Sequence, residues 1–206
     1  LVRRAYVEYP NGKLMLRKAE PEGFEFLRSS DFNSRFINTA VGPDGCLYVT
    51  DMYRGIIQDA PWYNEGNREF ARKTGVNKHI QMGRIWRIRH KDHQPLVQKP
   101  QMLDESTEEL VRHLQNPIGW WRDTAQKLIL LREDRGKVIP LLEGLFRFTQ
   151  SPLPRMHALW TLDGMKALSL EIKKEALADR SPILRRAMIQ MIEPDLTKEI
   201  NLLLPL

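Results

Sequence analysis

The sequence predicts an α+β fold in which strands fill the first part of the chain and helices the second. Three observations carry this. Short β-prone runs separated by tight-turn residues occupy residues 1–97. From about residue 101 the apolar spacing turns helical, with start signals that recur at intervals of 35 and 30 residues. The charge divides at the same place: residues 1–100 hold 17 Lys and Arg against 11 Asp and Glu, whereas residues 101–206 hold 15 of each. Such an asymmetry points to two regions with different roles.

In chain order, the runs at 3–9 and 13–18 flank Pro10-Asn11-Gly12, a hairpin signal because both Asn and Gly accept positive φ. A second hairpin joins 37–41 to 46–50 through Gly42-Pro43-Asp44-Gly45, and Asp51 ends its second strand. A third run spans 84–89, with Trp86 and Ile88 on one face and Arg87 and Arg89 on the other. Between them, residues 55–83 form a polar, aromatic insert with too little apolar periodicity for a core element. It is expected to be a loop with one short helix near 65–73, and a loop of that length in a compact domain is usually functional or disordered.

The helical part opens on Ser106-Thr107-Glu108-Glu109, a capping box in which Ser106 caps the helix and Glu109 reaches back. Three later helices are expected to start at a capping residue followed by proline: Asn116-Pro117, Ser151-Pro152 and Ser181-Pro182. Each start is followed by an Arg and an Ala: Arg122 and Ala125, Arg155 and Ala158, Arg185 and Ala187. Partner helices are expected near 137–148 and 170–178, and another near 195. A lone helix pair cannot bury its apolar face, so repeated pairs are expected to stack as an α-solenoid. An irregular helical bundle is the alternative.

The composition is that of a globular chain, 42% hydrophobic and 28% charged. No run of about 18 apolar residues exists to form a transmembrane segment. The single cysteine, Cys46, excludes an intrachain disulfide framework and a Cys-based zinc site, and is expected to be an inert buried thiol. No P-loop, GxGxxG, HExxH or Ser-His-Asp pattern is present. The insert mixes Trp62, Tyr63 and Phe70 with Arg68, Arg72, Lys73 and Lys78, as single-stranded nucleic-acid sites do. It carries no recognised nucleic-acid motif, so nucleic acid is not the expected partner. Arg84, Arg87 and Arg89 suit bidentate anion contacts or a solvated outer strand face. His79, His90 and His157 are expected in surface, hydrogen-bonding or packing roles.

The segments FLRSSDFNSRFINTAVGPDGCLYVTDMYRGIIQ and MGRIWRIRH, within residues 26–90, resemble the end of the β-propeller in membrane-bound dehydrogenases of the planctomycete type. Those proteins are related to the glucose/sorbosone dehydrogenase propellers. NPIGWWRDTAQKLILL and LPRMHALWTLDGM resemble the HEAT-like repeats that follow that propeller. The resemblance implies terminal β-propeller blade(s) over 1–97 and an α-helical HEAT-like solenoid over 101–206. It implies part of a quinoprotein-like sugar or alcohol dehydrogenase that passes electrons to a cytochrome c, in the periplasm or secreted. The implied cofactor is pyrroloquinoline quinone (PQQ) with calcium. No CxxCH exists, so the haem is not held by this chain. A propeller needs more blades than about 95 residues supply, so the rest of the propeller, or another chain, is an expected partner. The chain begins at Leu1 without an initiator Met, which gives the same expectation of a processed product or a part of a longer protein.

Asp51, Tyr53, Arg54 and Arg84 are the candidate cofactor-binding residues under this resemblance; no catalytic residue is assigned. Arg54 would bind a carboxylate, and Asp51 would orient it or hold a cation. The competing reading makes Asp51 a buried turn cap paired with Arg54. A non-catalytic interaction module, with the helical repeats as docking surface, is the rival function.

Overall fold

The computed structural model describes residues 1–10, 13–96, 99–132 and 134–195. The fold is mixed α+β, with two small antiparallel sheets followed by helices. It divides into two compact units: one of residues 1–42 and 46–94, the other of residues 43–45 and 95 onward.

In the first unit, β1 (Ala5–Glu8) and β2 (Met15–Lys18) pair antiparallel, with Ala5 opposite Lys18. The Asn11-Gly12 turn lies outside the described residues. A three-stranded sheet runs in the order β3 (Phe36–Val41), β4 (Leu47–Asp51), β5 (Arg84–Ile88), antiparallel throughout. The central strand carries the buried positions: Val49 is fully buried and Cys46, just before it, nearly so. The outer strands are exposed along almost their whole length. The insert between β4 and β5 contains α1 (Glu65–Thr74), capped by the Asn64 side chain and closed by Gly75 at φ 69°. That positive φ is the left-handed conformation that ends many helices. The insert is not free of core: Ile56, Ala71 and Val76 bury together under Tyr63. A three-residue cluster is too small to leave a periodic signature, which is why the sequence gives no sign of it.

The second unit is helical. The capping box forms: Ser106 Oγ accepts the Glu109 N–H, and the Glu109 carboxylate accepts the Ser106 N–H at 2.7 Å. It starts α2 (Thr107–His113), followed by α3 (Gly119–Leu131), α4 (Arg135–Phe148), α5 (Pro152–Gly164), α6 (Leu170–Leu177) and α7 (Pro182–Ile192). A continuous core runs through them, including Leu110, Trp121, Ile129, Leu142, Leu159 and Met188. Sequential helices pack as α2 on α3, α4 on α5 and α6 on α7, while α3, α5 and α7 also pack in succession and α2 packs on α4. Arg147 on α4 ties that helix to α6 through Glu171 and Glu175. The helix expected near 195 lies outside the described residues, apart from a 3-10 turn at Glu193–Asp195.

Two of the three proline starts hold: Pro152 and Pro182 are first in their helices, after Ser151 and Ser181. Neither serine hydroxyl caps its helix, however. The start at Asn116-Pro117 is corrected: α3 begins at Gly119, because Asn116 Oδ1 accepts the Ile118 N–H at 2.9 Å and forms a turn instead of a cap. Asp179 makes the same turn with the Ser181 N–H at 2.8 Å. The arginine six residues after each turn then clasps it. Arg122 Nη1 donates to the carbonyls of Asn116 and Pro117, and Arg185 Nη1 to those of Asp179 and Arg180. Arg155 instead reaches the Phe146 carbonyl and pairs with Asp179. His157 on α5 meets α3, its ring nitrogens bonded to Arg122 Nε and Gln126 Oε1. Burial, and then the neighbouring Arg122, lowers its pKa, which suits a neutral ring accepting from the guanidinium. Among the described residues no helix is long and apolar enough to cross a membrane.

Candidate functional site

Three of the four candidates, Asp51, Tyr53 and Arg84, come together at the end of β4. Asp51 is the last residue of that strand and is buried, at 2% exposure. The strand register sets it opposite Arg84, the first residue of β5. A charge in such a place must be fully hydrogen-bonded, and it is. Oδ1 accepts the backbone N–H of Arg35 at 2.7 Å and of Tyr53 at 3.0 Å. Oδ2 accepts from Ser34 Oγ at 3.1 Å, Trp86 Nε1 at 3.1 Å and Arg84 Nε at 3.2 Å. Burial pushes the carboxyl up, but the donors from Arg35, Trp86, Tyr53 and Arg84 overcome it and hold the pKa down to about 2. Asp51 is therefore a carboxylate with five internal donors.

Arg84 continues the network outward. Its guanidinium carbon lies 3.9 Å from the centre of the Tyr53 ring and 4.9 Å from that of Trp86, and it reaches Asp31 at 3.8 Å. Stacking between two aromatic faces suits the planar guanidinium. Tyr53 sits at φ 50°, uncommon for a residue with a large side chain. Its phenol is bonded to Asp31, which raises the phenol pKa. Asp31 is lowered, first by the Asn33 N–H and then by Tyr53. The ring of His79 meets Tyr53 edge-on at 6.1 Å, and its Nδ1 is buried without a hydrogen-bond partner among the described residues.

Arg54 is half-buried and stands apart. Its guanidinium makes no hydrogen bond or ion pair among the described residues, and only its carbonyl is engaged, by Arg35 Nε at 3.1 Å. Arg35 also donates to the Gly55 carbonyl at 2.7 Å, so this arginine, unnoticed in the sequence, fixes the loop that follows β4. The buried turn cap is therefore present, but Asp51 pairs with Arg84 and not with Arg54. Ser34, Arg35 and Trp86 complete the cap. Of the other arginines, Arg89 donates to the His93 carbonyl at 3.4 Å and Arg87 lies exposed on β5.

This donor set bears on the implied quinone and calcium. Every oxygen of Asp51 faces internal donors, so the residue offers no lone pair to a cation in this arrangement. Arg84 gives its Nε to Asp51 and its planar face to two rings, with Nη2 at 3.8 Å from Asp31. Asp51 does not fit a calcium site as placed, whereas Arg54 retains its full donor set and Arg84 gives only its Nε as a hydrogen-bond donor.

Residues 1–92 match the model of a family described as "Domain of unknown function (DUF7133)". That span takes in both sheets, the insert and the Asp51 network. No curated protein and no solved structure matches the chain.

Proposed function

We propose that this chain is a structural and docking part of a quinoprotein-like sugar or alcohol dehydrogenase, and that it forms no complete catalytic site by itself. In this reading the β unit is the terminal part of a β-propeller that further strands complete. The helical unit is a HEAT-like repeat array offering a surface to the electron acceptor, a cytochrome c domain or another chain. The periplasmic or secreted location and the sugar or alcohol substrate rest on the sequence resemblance alone.

The observation that carries the structural role is the closed Asp51 network, in which the best acid of the region is occupied by five donors of its own unit. It acts as a clasp joining the end of β4, the start of β5 and the 34–35 turn. Arg54, with the Nη groups of Arg84, is what the candidate residues leave for an anionic group from outside. The test is to incubate the purified chain with PQQ, calcium and a redox dye, then add glucose or ethanol. The expected result is no dye reduction. Turnover by the chain alone, abolished by Arg54→Ala, would overturn the reading.

A further inference from the structure

The insert holds a groove that plays no part in the Asp51 network. It measures about 680 Å3 and lies along one flank of α1, facing the 3-10 turn Val76–Lys78. Arg68 and Arg72, one helical turn apart, line it together with Lys78, Asn77 and Tyr63. Like charges four residues apart on a helix repel, so the pair is unfavourable unless an anion offsets it. Glu65 supplies one such anion, at 2.6 Å from Arg72 Nη2. Among the described residues it is the only carboxylate lining the groove, against three cations, leaving a local excess of two positive charges.

Each arginine is held by part of its fork. Arg68 Nε donates to the Tyr63 carbonyl at 3.2 Å, and Arg72 Nε to the Arg68 carbonyl at 3.4 Å. Among the described residues the two Nη groups of Arg68 and one of Arg72 stay open, and the ammonium of Lys78 makes no ion pair or hydrogen bond. The open donors come from two sides, the helix flank and the facing turn. A flat carboxylate is matched by a single guanidinium, whereas a tetrahedral dianion with several equivalent oxygens can use donors from both sides at once.

We propose that this groove is a binding site for a phosphate-bearing anion of pyrophosphate type, held by Arg68, Arg72 and Lys78. Glu65 competes with the ligand for Arg72, so the site binds more tightly when that carboxylate is neutralised.

Isothermal titration of the full chain with inorganic pyrophosphate tests this, with succinate at matched ionic strength and a single-stranded oligonucleotide as comparison arms. Saturable binding of pyrophosphate is expected at one site per chain, weakening as salt rises. Lys78→Gln and Arg72→Gln should each weaken it several-fold, and Glu65→Gln should tighten it. Circular dichroism confirms that each variant is folded. If a variant fails to fold, amide shift changes in the wild type on adding pyrophosphate, confined to residues 63–78, replace it. The proposal is overturned by absent binding, by equal binding of succinate, by shifts elsewhere, or by a weaker Glu65→Gln site. Binding of the oligonucleotide without pyrophosphate binding also overturns it and makes the groove a nucleic-acid surface.

Discussion

At the scale of single residues, Asp51 shows how a charge is kept inside a thin sheet. Its five donors exceed what an amide oxygen can accept, and one face of an amide would present N–H groups to other N–H groups. Asp51→Asn should therefore destabilise the chain by about 3 kcal/mol, within the range for breaking one partner of a buried charged pair. The pH dependence has a definite sign. The folded pKa is depressed from 3.8 to about 2, so the unfolded chain binds the proton more readily. The contribution is fully present above 3.8 and is lost as pH falls through about 2. Urea unfolding of wild type and Asp51→Asn should differ most at neutral pH, with the gap closing across that window. A gap independent of pH would show that the carboxylate charge is not what matters.

At the scale of elements, the helical unit repeats one small device. An Asx turn precedes a helix, and an arginine six residues later donates to the turn's two carbonyls, at Asn116/Arg122 and again at Asp179/Arg185. Hydrogen bonds from a charged donor contribute about 1.5–3 kcal/mol. Arg185→Ala should cost about that much. Arg122→Ala should cost more, because it also strands the acceptor nitrogen of His157. The two clasps share no partner, so the double variant should show additive losses in chemical denaturation. Coupling above about 0.5 kcal/mol would mean that the helices between the two clasps transmit strain. These elements also mark what was legible in the sequence. The strand runs, the capping box, the short helix of the insert and the Pro152 and Pro182 starts depend on neighbouring residues, and local pattern reveals them. Local pattern misplaces the start of α3 because Asn116 serves a turn as readily as a cap, and Arg122 clasps that turn from within the helix. The Asp51–Arg84 pair spans 33 residues and depends on the β4–β5 register. Adjacency in sequence had favoured Arg54 instead, and nothing local to Ser34 or Arg35 announced their donors.

At the scale of the whole molecule, the two halves differ in how they bury apolar surface. The helical unit hides a continuous core, whereas the sheets leave Tyr6, Val7, Leu16, Ile37 and Ile85 exposed. In the three-stranded sheet the edge strands are β3 and β5. The strand Phe36–Val41 carries no charged residue and no proline, the usual guards against pairing with another chain. Ile37 is 57% exposed and Ile85 67% exposed, so a lysine at either position meets water and costs little stability. The chain alone should therefore associate with rising concentration, seen as a growing sedimentation coefficient. Ile37→Lys with Ile85→Lys should reduce that association while leaving the urea midpoint nearly unchanged. A wild type that stays monomeric at all concentrations would mean that these edges are tolerated as they stand. The proposal that further strands complete the β unit would then lose its physical motive, because an open edge demands a partner only if leaving it open has a cost.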